Sequence, residues 1–198
     1  MAENKVKYGL KNVHIAPISK IDLTATEEDK VYTYDVPFAY PGAISFTASS
    51  KMQDNPIYGD NGPYANVYSN PGYELTFESV RMVNEFVEKI LNEKDGREKA
   101  SDKPISFAIM GEMDGDEKKE RFIFWNCSIT KRPDFATKTT EENTTPQTDS
   151  WTCIASARAD TGDIKATAYE DWDVYSTMFT TVPKPSEFKK PTTVASGS

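Results

Sequence analysis

Few residues in this chain are of types that could do chemistry, and their spacing supports little of it. His14 is the only histidine, which removes multi-histidine metal centres and leaves a nucleophile-histidine-acid arrangement no choice of base. It lies in a strand-like run between Val13 and Ile15, where a packed or surface imidazole is the expected role. The two cysteines, Cys127 and Cys153, are not at metal spacing and read as small buried apolar residues. Met113-Asp114-Gly115-Asp116-Glu117 offers oxygen donors to a hard cation but lacks the spaced acidic ligands of a helix-loop-helix calcium site, so a solvated hairpin turn is expected. Glu170, Asp171 and Asp173 flank Trp172, a combination seen where two carboxylates straddle a glycosidic bond, yet the spacing supplies no such pair. No glycine-rich phosphate loop precedes a helix. The expectation is no catalytic, cofactor-binding or metal-binding residue, no cofactor and no enzymatic activity.

The elements that would hold these residues are mostly strands. At 198 residues the chain can bury one well-formed core, and its aromatic and β-branched residues suit pleated, half-buried surfaces. Lys5 to Ile18 alternates weakly and is predicted to stop at a turn by Pro17. A short strand is expected over Val31 to Val36. Pro41-Gly42, Asn55-Pro56, Gly59, Asn61-Gly62-Pro63 and Asn70-Pro71-Gly72 then punctuate Pro37 to Gly72. Ala43 to Ser49 can form a strand there, and the rest is a long exposed excursion carrying Tyr58, Tyr64, Tyr68 and Tyr73. Tyr73 to Ser79 alternates as a strand. The period then changes: Val80, Val83, Val87, Ile90 and Leu91 fall at helical spacing and predict one amphipathic helix over about 80–94, closed by Gly96.

The second half reads as hairpins. Ile105 to Met110 and Arg121 to Ile129 are strands around the Asp114-Gly115-Asp116 turn. Ile123, Trp125, Cys127 and Ile129 are expected on one face, with Phe122 and Phe124 on the other. A strand apolar on both faces is covered twice, or sealed by a neighbouring subunit. Lys131 to Ser150 is a long polar loop of the kind a partner orders. Trp151 to Ser156, Ile164 to Tyr169 and Val174 to Thr180 are further strands. Val182 to Ser198 is rich in Pro, Lys, Thr and Ser and alone would be disordered. The expected organisation is a single domain over 1–180 with a tail over 181–198.

A net charge of −8 argues against tight nucleic-acid binding, which depends on cations releasing counterions from phosphate. No apolar run reaches the ~20 residues of a membrane span. No export signal is recognisable at the N-terminus, so the chain is expected to stay in a reducing cytoplasm, where Cys127 and Cys153 remain thiols.

Lys7-Tyr8-Gly9-Leu10-Lys11-Asn12-Val13-His14-Ile15-Ala16-Pro17 resembles the opening of the phi13-type major tail proteins of siphophages. Gly111-Glu112-Met113-Asp114-Gly115-Asp116, Phe124-Trp125-Asn126-Cys127-Ser128 and Thr144-Thr145-Pro146-Gln147-Thr148 are similar to later blocks of that family in the same order. The resemblance implies a mainly β fold, a β-sandwich or flattened barrel of the phage tail-tube type flanked by one amphipathic helix. It implies a structural virion protein that self-assembles into stacked hexameric rings around a DNA-conducting channel, with the genome passing through untethered. Tape measure, terminator and distal tail proteins would be its partners. Its location would be the virion, after assembly in the host bacterial cytoplasm, with no membrane insertion. A wall with excess carboxylate would repel duplex DNA and let it slide, so inner-face charges are expected to be acidic. The alternative is a virion-surface β-sandwich that binds carbohydrate or a receptor, with Trp125, Trp151 and Trp172 as an exposed platform.

Overall fold

The fold is mainly β, as the residue pattern predicts. The structure, a computed structural model, describes residues 4–59, 62–115, 117–134, 137 and 147–191. In chain order it comprises β1 (Lys7–Ile21), a single helical turn α1 (Glu28–Val31), β2 (Tyr32–Tyr34), β3 (Phe38–Ala39), β4 (Ala43–Ser50), β5 (Gln53–Gly59), β6 (Gly62–Ser69) and β7 (Tyr73–Ser79). After these come α2 (Asn84–Lys89), β8 (Phe107–Gly115), β9 (Glu120–Lys131), β10 (Asp149–Ala155) and β11 (Lys165–Tyr169). The main sheet is antiparallel in the order β2-β1-β8-β9-β10-β7-β4, with β11 added beside β9 and β3 beside β1. β5 and β6 pair only with each other.

β1 does not stop at Pro17 but runs to Ile21. The Pro17 carbonyl accepts from the Asp35 N–H at 2.9 Å, so the side of β1 on which its missing N–H would fall faces the connection between β2 and β3. No ladder bond is lost there, which is the condition under which a strand keeps a proline.

β8 and β9 are covered on both faces. One face, with α2, encloses Leu75, Phe77, Phe86, Ile90, Phe107, Ile109, Trp151 and Cys153. Trp151 lies between Phe77 and Phe86, stacked at 4.9 and 4.8 Å. The opposite face carries Met110, Ile123 and Trp125 under Val174 and Met178. The facing of β9 differs from simple alternation. Phe107 pairs with Cys127 but Ile109 pairs with Phe124, so Trp125 and Asn126 together oppose one residue of β8. This β-bulge returns Cys127 and Ile129 to the face of Phe122 and Phe124, while Ile123 and Trp125 serve the other core.

The helix predicted over 80–94 forms only at Asn84–Lys89. Val80 remains bound to the β4 end, its N–H donating to the Gly42 carbonyl at 2.8 Å, and Asn92 turns left-handed at φ 59°. Burial selects Phe86, Ile90 and Leu91, whereas Val80 is 59% exposed. Gly96 belongs to a separate tight turn closed by Lys94 and Arg97.

Two further stretches depart from expectation. The excursion after β4 is a two-stranded ribbon, and Val174 to Thr180 is not a strand but begins with a 3-10 helix at Asp173–Ser176. The residues beyond 180 that are described pack as well: Val182 and Phe188 lie against the core of the second sheet face, and the Trp125 indole N–H donates to the Pro183 carbonyl at 2.8 Å. The second apolar face of β9 is therefore covered by the chain's own C-terminal segment, which forms a strap across it.

Candidate assembly interface

The residues whose types suggest chemistry are absorbed into local structure. His14 stacks on Phe179 at 4.4 Å, and its Nδ1 lies 2.8 Å from the Asn12 carbonyl. Cys127 and Cys153 are free and buried, and burial pushes the Cys127 thiol well up. Asp114 pairs with Lys11 and lies in the β1–β8 ladder opposite Tyr8, so the strand continues through what reads as a turn; Asp116 lies outside the described residues. Asp171 binds Lys118 at 2.7 Å, a hydrogen bond that holds its carboxyl below the usual range. Trp172 packs edge-on to Tyr169, with Glu170 and Asp173 exposed on either side. Among the described residues no group of three His, Cys, Asp or Glu could hold a metal ion, and no helix is long and apolar enough to cross a membrane.

Trp125 and Trp151 are 1% and 2% exposed. Two of the three indoles that a sugar-binding platform would present are thus core residues.

A polar clamp holds the strap on the sheet. The Arg121 guanidinium lies between the rings of Tyr175 and Phe179, 3.9 and 4.1 Å from their centroids. Its Nε bonds Glu112 at 2.8 Å and its Nη1 donates to the Tyr175 carbonyl. The Tyr175 hydroxyl and the Asn12 amide both donate to the same carboxylate. Burial alone would raise the Glu112 carboxyl, but the bonds from Arg121 and Tyr175 prevail and hold it below its ordinary value. Burial and the neighbouring Glu112 push the Tyr175 phenol up to about 12. A second anchor is Arg158, 3% exposed, which ties Asp160 to the Tyr34 hydroxyl and lies over the Tyr32 ring.

The arm formed by β5 and β6 has no such anchorage. Tyr58, Tyr64 and Tyr68 are 71%, 81% and 66% exposed, and Ile57 and Met52 are exposed with them. None of its described residues belongs to a hydrophobic cluster. The arm prolongs the β4–β7 ribbon: Ser50 pairs with Tyr73, the Lys51 N–H donates to the Gly72 carbonyl, and pairing resumes at Gln53 and Ser69. Seven residues of β5 reach roughly 23 Å beyond the sheet. Gly72 makes the joint possible. Its φ is +122°, and a Cβ there would fall 2.0 Å from the Ala155 carbonyl oxygen, so the backbone of β10 sets where the arm leaves. The residue pattern shows the tyrosines of this stretch but hides its pairing, because Pro56 and Pro63 interrupt the two runs in which Asn55 pairs with Val67 and Ile57 with Ala65. The Thr-rich loop, the other candidate contact, lies mostly outside the described residues, as do 192–198.

Comparison of the sequence with protein-family models and with curated proteins finds no match.

Proposed function

We propose that this chain is a structural subunit that assembles with copies of itself, as the major tail (tail tube) protein of a long non-contractile phage tail, in stacked hexameric rings around a DNA channel. The arm carries this reading. A two-stranded ribbon alone is marginal in water, and one that shows three tyrosines to solvent, with none of its described residues in a hydrophobic cluster, needs a partner to stay ordered. Side chains of this type, large and amphipathic, are those enriched at protein interfaces. Many weak contacts repeated in a closed, stacked array suffice for a stable tube. The net charge of −8 suits a channel that passes DNA without holding it. Tape measure and terminator proteins would be the other partners, and the virion its location. The channel wall is expected to be acidic, and a ring lined mainly by Lys and Arg would contradict that part.

Negative-stain microscopy of the purified protein over a concentration series tests the reading. Rings or tubes are the expected result. Compact single particles at every concentration and salt would overturn it.

A further inference from the structure

Among the described strands that border a sheet, all but one are guarded against pairing with another chain. An open edge offers a row of unused N–H and C=O groups, and proteins blunt such edges with short strands, charges, prolines and bulges. β2 and β3 are three and two residues long, and β11 has five, opening on the exposed Lys165. The first half of β1 carries Lys7 and Lys11 and shifts register between Tyr8 and Leu10 and between Lys11 and His14, with Gly9 and Asn12 left-handed at φ 67° and 52°. β5 and β6 hold Pro56 and Pro63. β4 has none of these devices from Ser45 to Ser50, where it is uncharged, lacks proline and keeps one register against β7. Thr47 and Ser49 on one face and Ala48 and Ser50 on the other are all exposed, so this edge is open from both sides.

The Lys51 N–H donates to the Gly72 carbonyl. Bonding residues alternate along an antiparallel pair, so Ser45, Thr47 and Ser49 bond β7, while Phe46, Ala48 and Ser50 turn their backbone groups outward. We infer that this edge pairs antiparallel with the same edge of a second copy of the chain, with Ala48 on the two-fold axis. That register sets Phe46 against the partner's Ser50 and Ala48 against its equal, which uses every outward group of the three residues. The offset is even, so the inner face of one copy continues into the inner face of the other. Thr47 falls opposite the partner's Ser49. Lys51, the one charge in 43–51, falls opposite the partner's Ser45; within each chain the Ser45 hydroxyl donates to Glu78 at 3.4 Å, so the cation comes toward a carboxylate and no like charges face each other. An isologous contact of this kind closes at a dimer. It differs from the head-to-tail contacts that a stack of rings requires, and it does not rest on the tube reading: the dimer is the form in which a free subunit covers its unguarded edge.

Light scattering of the full chain, at concentrations below those at which rings form, should give the mass of a dimer. Ala48→Lys and Ala48→Glu each put like charges on the axis and should each be monomeric; mixed in equal amounts, they should pair. Ala48 is exposed, so both variants should fold, which circular dichroism checks. Thr47→Cys and Ser49→Cys, on chains with tags of different mass, should join in a mixed disulfide dimer under diamide, which takes up the two electrons and two protons released as the thiols join. The native cysteines are buried. Thr76→Cys, exposed one strand further in, should give on the order of tenfold less mixed dimer in place of Ser49→Cys, since pairing raises the local thiol concentration only at the edge. A dimer that Ala48→Lys and Ala48→Glu leave intact overturns the inference. So does protection of the Phe46, Ala48 and Ser50 amides from hydrogen exchange in monomeric protein, because the chain would then cover its own edge. Rings at high concentration from a chain that is monomeric when dilute and yields no mixed disulfide overturn the edge contact and leave the tube reading standing. A dimer that never forms rings does the reverse.

Discussion

The chain carries aromatic side chains away from its sheet twice, and the two departures end differently. The strap leaves after β11 and turns back, placing Val174, Met178 and Phe188 on Ile123 and Trp125, with Arg121 and Glu112 fastening it from below. The arm leaves after β4 as a hairpin that returns only to β7; its tyrosines are exposed, and none of its described residues joins a hydrophobic cluster. Composition does not separate them, since both are rich in proline and tyrosine or phenylalanine. What separates them is the surface each can reach. The strap runs over a sheet face that is otherwise bare and apolar, whereas the arm extends past the end of its ribbon into solvent. An aromatic-rich segment is therefore a packing element or a docking element according to the geometry of its exit.

Variants that damage each region should behave oppositely in stability and in assembly. The largest effect is expected for Trp125→Ala, which empties the centre of the strap's contact and removes the bond to Pro183; it should lower unfolding free energy by about 3–5 kcal/mol in a denaturant titration. Arg121→Ala leaves Glu112 buried without its cation and should cost about 3 kcal/mol, with faster proteolysis near Tyr175 and Phe179. Gly72→Ala forces a Cβ against the Ala155 carbonyl and should destabilise the chain by roughly 1–3 kcal/mol while re-aiming the arm, so that assembly suffers more than folding. The folded Glu112 carboxyl lies below its unfolded value, so its stabilisation is complete above about pH 4.5, the ordinary value for Glu, and is lost as pH falls through the folded value. Melting temperatures measured from pH 7 to pH 3 should fall in that acid range, and Glu112→Gln should flatten the fall. Smallest in stability is Tyr64→Ser, expected within about 0.5 kcal/mol of the parent; its effect should appear only in the concentration at which rings form. A Tyr64→Ser chain that unfolds readily would mean that the arm is packed after all, and the contrast between the two regions would disappear.

Much of the fold is legible in the order of residues alone. Tyr73 to Ser79 alternates, as does Trp151 to Ala155 apart from Ile154, and both strands form there because Leu75, Phe77, Trp151, Cys153 and Ala155 are buried on one side. The single histidine and the cysteine spacing are plain in the sequence, and the structure stacks His14 on Phe179 and buries both cysteines. Where the pattern misleads, a local exception is inserted. The bulge at Trp125-Asn126 breaks the period of two, a proline sits in β1 where no ladder bond is needed, and the helical period from Val80 onward continues past the point where Asn92 turns the backbone. The clamp of Glu112, Arg121 and Tyr175 is invisible in the sequence, since it joins Glu112 to a hydroxyl 63 positions away by a contact that neither period announces. Phe179, Val182 and Phe188 are the available signal for the strap, diluted by the Pro and Lys residues around them.

The bulge in β9 also sets which genetic changes this protein can survive. With one residue added, Trp125 serves one interior while Cys127 and Ile129 keep the frame of Phe122 and Phe124 toward the other. Inserting a further residue beside Asn126 would rotate Cys127 and Ile129 outward and their polar neighbours inward, whereas deleting Asn126 would leave a regular strand with both still on the face of Phe124. Replacing the half-buried Asn126 side chain leaves that count intact. This stretch should therefore tolerate a change of letter or the loss of Asn126, and reject an added residue.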